Sequence, residues 1–197
     1  PRMPFWRGDY PWRSYELGER IGALRRTVAA QVKAAGSDRD GVVAALQRDY
    51  ALDLNSGRAL YDYVKSQVDA LGAISSDETI IVETFFDAVG EARVVVHSPF
   101  GGRINGAWSL ALVDGLKERT GIEIESMVSD DGILLRLPGV VLGAQDQGNL
   151  AAGVPRAAAF AGVDLSIVAD VIRNMTVREA HQRILRELPN SAVFGAR

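Results

Sequence analysis

A chain of 197 residues, 47% hydrophobic and 24% charged, has the composition of a soluble globular protein with a real core, in one large domain or two small ones. With no cysteine it can build neither a disulfide scaffold nor a thiolate metal site nor a cysteine nucleophile. The apolar runs fall short of the ~18 residues of a membrane span, and Pro1–Trp6 does not read as a secretory leader, so a cytoplasmic protein is expected.

The net charge of −3 argues against a free-standing nucleic-acid binder, but it averages over a gradient. Residues 1–33 carry seven basic side chains against three acidic ones, while residues 77–131 carry four against eleven. Arginine outnumbers lysine 19 to 3, which suits planar recognition of phosphate but also follows from genome composition.

Three helices are expected first. Leu17, Ile21, Leu24 and Val28 fall on one helical face after Ser14. Ser37-Asp38 caps a second helix through Val42, Val43, Leu46 and Tyr50. Asn55-Ser56-Gly57 reads as a break before a third stripe, Leu60, Val64, Val68 and Leu71, which Gly72 ends.

The period then changes. Thr79–Phe86 and Ala92–His97 are rich in β-branched residues and read as a hairpin turning at Ala88–Glu91. After the irregular Ser98-Pro99-Phe100-Gly101-Gly102, Asn105 reads as the cap of a helix through Trp108, Leu112 and Leu116. A second hairpin, Ile122–Val128 and Ile133–Leu137, turns at Ser129-Asp130-Asp131-Gly132. Residues 138–160 read as an irregular connection. Two helices follow, one from Asp164 and one opened by the capping-box pair Thr176 and Glu179. The expected fold class is α+β: amino-terminal helices, a small antiparallel sheet of two hairpins with an intervening helix, then carboxy-terminal helices. The sections are 1–72, 73–138 and 139–197, together one compact domain.

No phosphate-cradling loop of the G-x-x-x-x-G-K-[ST] type is present, so this chain alone is not expected to hydrolyse ATP, and no catalytic residue is assigned. Glu83, Asp87, His97, Asp130 and Asp131 raise the possibility of a magnesium-dependent nuclease. Asp-Asp-Gly is sufficiently explained as turn chemistry, however, and no spacing marks a ligand set, so no metal site is expected. His97 is assigned a structural role in bonding the loop's backbone, because Ser98, its neighbour on a strand, points to the opposite face. Asp130 and Asp131 are read as structural turn residues.

The most unusual segment is Phe5-Trp6-Arg7-Gly8-Asp9-Tyr10-Pro11-Trp12-Arg13, where aromatics alternate with arginines. A ring that stacks a base beside guanidinium groups that meet phosphate is the chemistry of single-strand binding. Phe5 and Trp12 read better as core anchors of an extended arm. For Trp6, beside Arg7 and Gly8, both readings stay open.

Several segments carry a family resemblance that spans nearly the whole chain. Pro4–Asp9 with Arg13–Gly18 resembles a Pro-Phe-Trp-[Arg/Lys]-Gly-[Glu/Asp]…Arg-x-x-Glu-Leu-Gly motif of the large helicase-related (Lhr) family. Val82–Phe85, His97–Asn105 and Ser129–Pro138 are similar to its hairpin, its His-Ser-Pro-Phe-Gly-x-Arg-Val-Asn/His loop and its Asp-Asp-Gly segment. Ser191–Arg197 resembles half of a further motif, which implies an internal fragment. The resemblance implies the DEAD/H-associated region of a superfamily 2 helicase that moves 3′ to 5′ on single-stranded DNA. Such a parent uses ATP and magnesium, and its motor and winged-helix domains lie elsewhere in the polypeptide. The partner is then single-stranded DNA or an RNA–DNA hybrid. Trp6, Arg7, Arg13 and Arg103 are the implied nucleic-acid contacts. The competing expectation is a module that braces the motor without touching the strand.

Overall fold

A computed structural model describes residues 12–36, 38–88, 90–141 and 166–190. Three helices come first: α1 (Tyr15–Ala35), α2 (Arg39–Tyr50) and α3 (Leu54–Leu71). Each starts where a side chain meets an orphan backbone donor. Ser14, Asp38 and Asp53 accept from the N–H groups of Leu17, Gly41 and Ser56. The break before α3 therefore lies at residues 51–53, and Asn55-Ser56-Gly57 forms the first turn of α3. Gly57 is buried there because its missing Cβ lets Val43 of α2 approach. Val28, Val32, Val43, Leu46, Tyr61 and Val64 bury the common face of the three helices.

Four strands follow, β1 (Ile81–Phe86), β2 (Glu91–His97), β3 (Glu125–Ser129) and β4 (Gly132–Val141), with α4 (Gly102–Thr120) between β2 and β3. The sheet is antiparallel with order β1-β2-β4-β3. The two expected hairpins are thus joined through β2 and β4, and α4 carries the chain past β4 to the far edge. β4 outlasts the expected stop at Pro138. A register irregularity pairs Ala92 with Leu137 but Glu91 with Val141, and such a bulge accommodates the proline's missing donor.

Alternation along the strands puts Ala92, Val94 and Val96 of β2 on one face with Ile133, Leu135 and Leu137 of β4. That face meets Leu112, Val113 and Leu116 of α4 in a second core. Val168 and Val171 of α5 (Ser166–Asn174) join the same core. The opposite face of the sheet carries no helix among the described residues.

The last helix, α6 (Val177–Glu187), is capped by Thr176, whose hydroxyl accepts from the Glu179 N–H, and runs into a 3-10 turn at Leu188–Asn190. It is fastened to α4 by charge. The buried Asp114 accepts from Arg183 at 2.8 Å, and the Lys117 ammonium donates to Glu187 at 3.2 Å. The Arg183 guanidinium is held more firmly in its charged form, chiefly by hydrogen bonding to Glu179.

Candidate nucleic-acid interface

Described parts of three of the segments that resemble one family meet at one place. The start of α1, the loop between β2 and α4, and the β3–β4 turn form a junction between the helical section and the sheet. Close backbone approach makes it possible. A Cβ on Gly18 would overlap the Pro99 carbonyl and Phe100, and one on Gly22 would overlap the backbone of Ser76 and Asp77. Gly101 sits at φ +88°, a conformation that other residues rarely adopt, and it lets the loop swing directly into α4.

Asp130 organises the backbone. One of its carboxylate oxygens accepts from the Arg13 N–H at 3.0 Å and the Gly102 N–H at 2.8 Å. It therefore caps α4 from another element, where the helix N-terminus favours negative charge. Asn105 lies inside the first turn of α4 rather than at its cap. Its buried amide donates to the carbonyls of Ser98 at 3.1 Å and Ser129 at 2.9 Å, tying loop to turn. The Ser98 and Gly101 N–H groups donate to the carbonyls of Asp131 and Asp130.

Asp131 collects the guanidinium groups. Arg13 donates to both of its oxygens, at 2.9 and 3.3 Å, and Arg25 of α1 donates at 3.0 Å. Hydrogen bonding to Arg13 is the main reason that the Asp131 carboxyl is held below its ordinary range. Arg13 also donates to the carbonyls of Pro99 and Asp130, so its side chain is spent on the protein. Arg25 lies over the Tyr63 ring at 5.7 Å, and Tyr15 stacks on Phe100 with ring centres 5.5 Å apart.

Of the expected contacts, Trp6 and Arg7 lie outside the described residues. Arg13 is built into the junction as a latch. Arg103 is exposed in the first turn of α4, next to the exposed Ile104, and makes no ion pair among the described residues. Trp12, expected as an anchor, covers Gly102 with its ring while remaining 39% exposed beside an open hollow lined by Arg13, Val128 and Ser129. The His97 ring turns to the open face of the sheet and bonds Glu83. The loop backbone is held instead by Asn105 and Asp130, while the His97 carbonyl accepts from Ser75. Among the described residues no group of three or more His, Asp or Glu side chains is arranged to hold a metal ion. No helix among them is long and apolar enough to cross a membrane.

Sequence reasoning missed Arg25, Tyr15 and Tyr63. No local signal distinguishes them, because their partners lie far along the chain or on another helix.

Residues 74–197 match the family described as DEAD/H associated, which is more than half of the chain. The chain belongs to the DEAD/H-associated family. The Lhr helicase and probable uracil glycosylase of Mycolicibacterium smegmatis is 39% identical over 70% of this chain, which corresponds to 9% of that protein. The ATP-dependent helicase Lhr-Core of Saccharolobus solfataricus is 26% identical over 68% of this chain and 15% of its own length. A solved structure of Mycobacterium smegmatis helicase Lhr bound to single-stranded DNA and AMP-PNP aligns with 94% of this chain at 32% identity and a TM-score of 0.58, covering 22% of that chain. This DEAD/H-associated chain therefore spans a small part of the helicases it resembles.

Proposed function

We propose that this chain is the accessory region of an ATP-dependent 3′–5′ DNA helicase of the cytoplasm, where it helps grip the single-stranded tracking strand and couples ATP hydrolysis to the unwinding of DNA or RNA–DNA duplexes. The observation that carries this reading is the fold match to a helicase bound to single-stranded DNA. ATP turnover belongs to motor domains elsewhere in the polypeptide. Magnesium belongs there too, since Asp130 and Asp131 are already committed to N–H donors of this fold.

In this reading Trp6 stacks on a base, and Arg7 and Arg103 meet phosphates. Arg13 contributes by holding the start of α1 to the loop and the turn: its guanidinium would reach a phosphate only by releasing Asp131. The alternative, a bracing module without strand contact, draws support from the same pairing, because Arg13, Arg25 and Arg26 all have carboxylate partners within the protein.

Fluorescence anisotropy of a labelled single strand at two salt concentrations tests the proposal. Loss of the Trp6 ring should weaken binding by about 1–3 kcal/mol. Arg103→Ala should weaken it on all sequences and lower the salt slope by about 1. Binding that is unchanged in both variants, or absent from the unaltered chain and equally strong in an intact helicase with and without them, would favour bracing.

A further inference from the structure

The sheet face turned away from α4 presents apolar side chains among its charges. Val95, Leu134 and Met127 are cross-strand partners in one row through β2, β4 and β3, so they form an apolar stripe that runs to the sheet edge. Met127 is 70% exposed, and Phe85 of β1 is also exposed on this face. A flexible thioether at the end of an apolar stripe adapts to a partner's shape.

The charges around the stripe speak for the partner. Glu83, Asp87, Glu91 and Glu125 stand against Arg93 and Arg136, an excess of two carboxylates over the arginines. Both arginines are taken: Arg93 by Asp87 and Glu91, Arg136 by Glu91 at 2.8 Å and Glu125 at 2.9 Å. Hydrogen bonding to Arg136 holds the Glu91 carboxyl below its ordinary range. Among the described residues no arginine on this face is free to meet phosphate, and their surplus negative charge repels a nucleic-acid backbone.

We infer that the open sheet face docks another region of the same polypeptide, one that presents apolar side chains flanked by lysine or arginine. The solved relative supplies the scale: the part that this chain matches is 22% of that chain, which leaves most of that polypeptide to other regions. The source of the partner rests on the helicase reading. The chemistry of the face does not, and neither test below uses the strand-binding residues.

The chain has three methionines, and Met175 packs against the α4 side of the sheet core, so the Met127 methyl is a local probe with an internal control. A helical leucine–lysine peptide should shift the Met127 methyl resonance and spare that of Met175. Met127→Ser and Leu134→Ser should each weaken this binding about tenfold or more. Equal shifts from a leucine–glutamate peptide, shifts from oligothymidine, or no shift at all would overturn the inference. In the intact helicase, a photo-cross-linking residue at position 127 should capture a lysine- or arginine-bearing segment of the same polypeptide. Capture of a second copy or of DNA, or no more capture than at the exposed Leu54, would overturn it as well.

Discussion

Leu112, Leu116, Leu135 and Leu137 are wholly buried between α4 and the sheet, whereas Arg13, Asn105, Asp130 and Asp131 join the helical section to that sheet by hydrogen bonds and charge. The first region gains its stability from removing apolar surface from water, at roughly 25 cal/mol per Å². The second gains little net energy per contact but fixes position, because each donor and acceptor accepts only a narrow range of geometry. Burial holds the sheet together, and polar pairing decides where the start of α1 lies on it.

The sharpest way to break this division is to attack the core. Leu135→Ala should cost about 2–5 kcal/mol, seen as a lower denaturation midpoint for the whole chain. Asn105→Ala should cost less, about 1–3 kcal/mol, by leaving the Ser98 and Ser129 carbonyls without their donor. Its signature in amide exchange should be concentrated in residues 98–102 and 129–132. Gly22→Ala, which forces a methyl into the backbone of Ser76 and Asp77, should cost about 1–3 kcal/mol and loosen α1 from the sheet.

The smallest effect belongs to the exposed pairs. Asp131→Asn should cost no more than about 1 kcal/mol, and less at high salt. Because folding depresses the Asp131 pKa, its stabilisation is present above the unfolded value of about 3.9 and is lost as pH falls through the folded value. Stability curves of the parent and Asp131→Asn chains should therefore converge below about pH 4. Curves that stay parallel across that range would remove Asp131 from the ledger of charge pairing.

The elements were readable wherever a local pattern set them. The spacing of Leu17, Ile21, Leu24 and Val28 marks α1, the Thr176–Glu179 pair marks α6, and Asp130–Gly132 marks the second turn. The errors are also physical. Gly57 reads as a helix breaker until Val43 is known to need its space, and Pro138 reads as a strand end until the bulge at Glu91 is seen. Nothing local says that β4 pairs with β2, nor that Asp131 faces Arg25. The family resemblance named segments whose described parts meet at the junction without saying that they touch, and Trp6 and Arg7 lie outside the described residues.

The bond from the Arg13 N–H to Asp130 spans 117 positions of sequence, whereas β3 and β4 need only a two-residue turn to meet. Closing so long a loop carries a large entropic penalty, and contacts of that kind form late in folding. The same order holds in reverse. The start of α1 should exchange its amide protons through openings that leave β2 and β4 protected, so it behaves as a separate cooperative unit resting on a slower one.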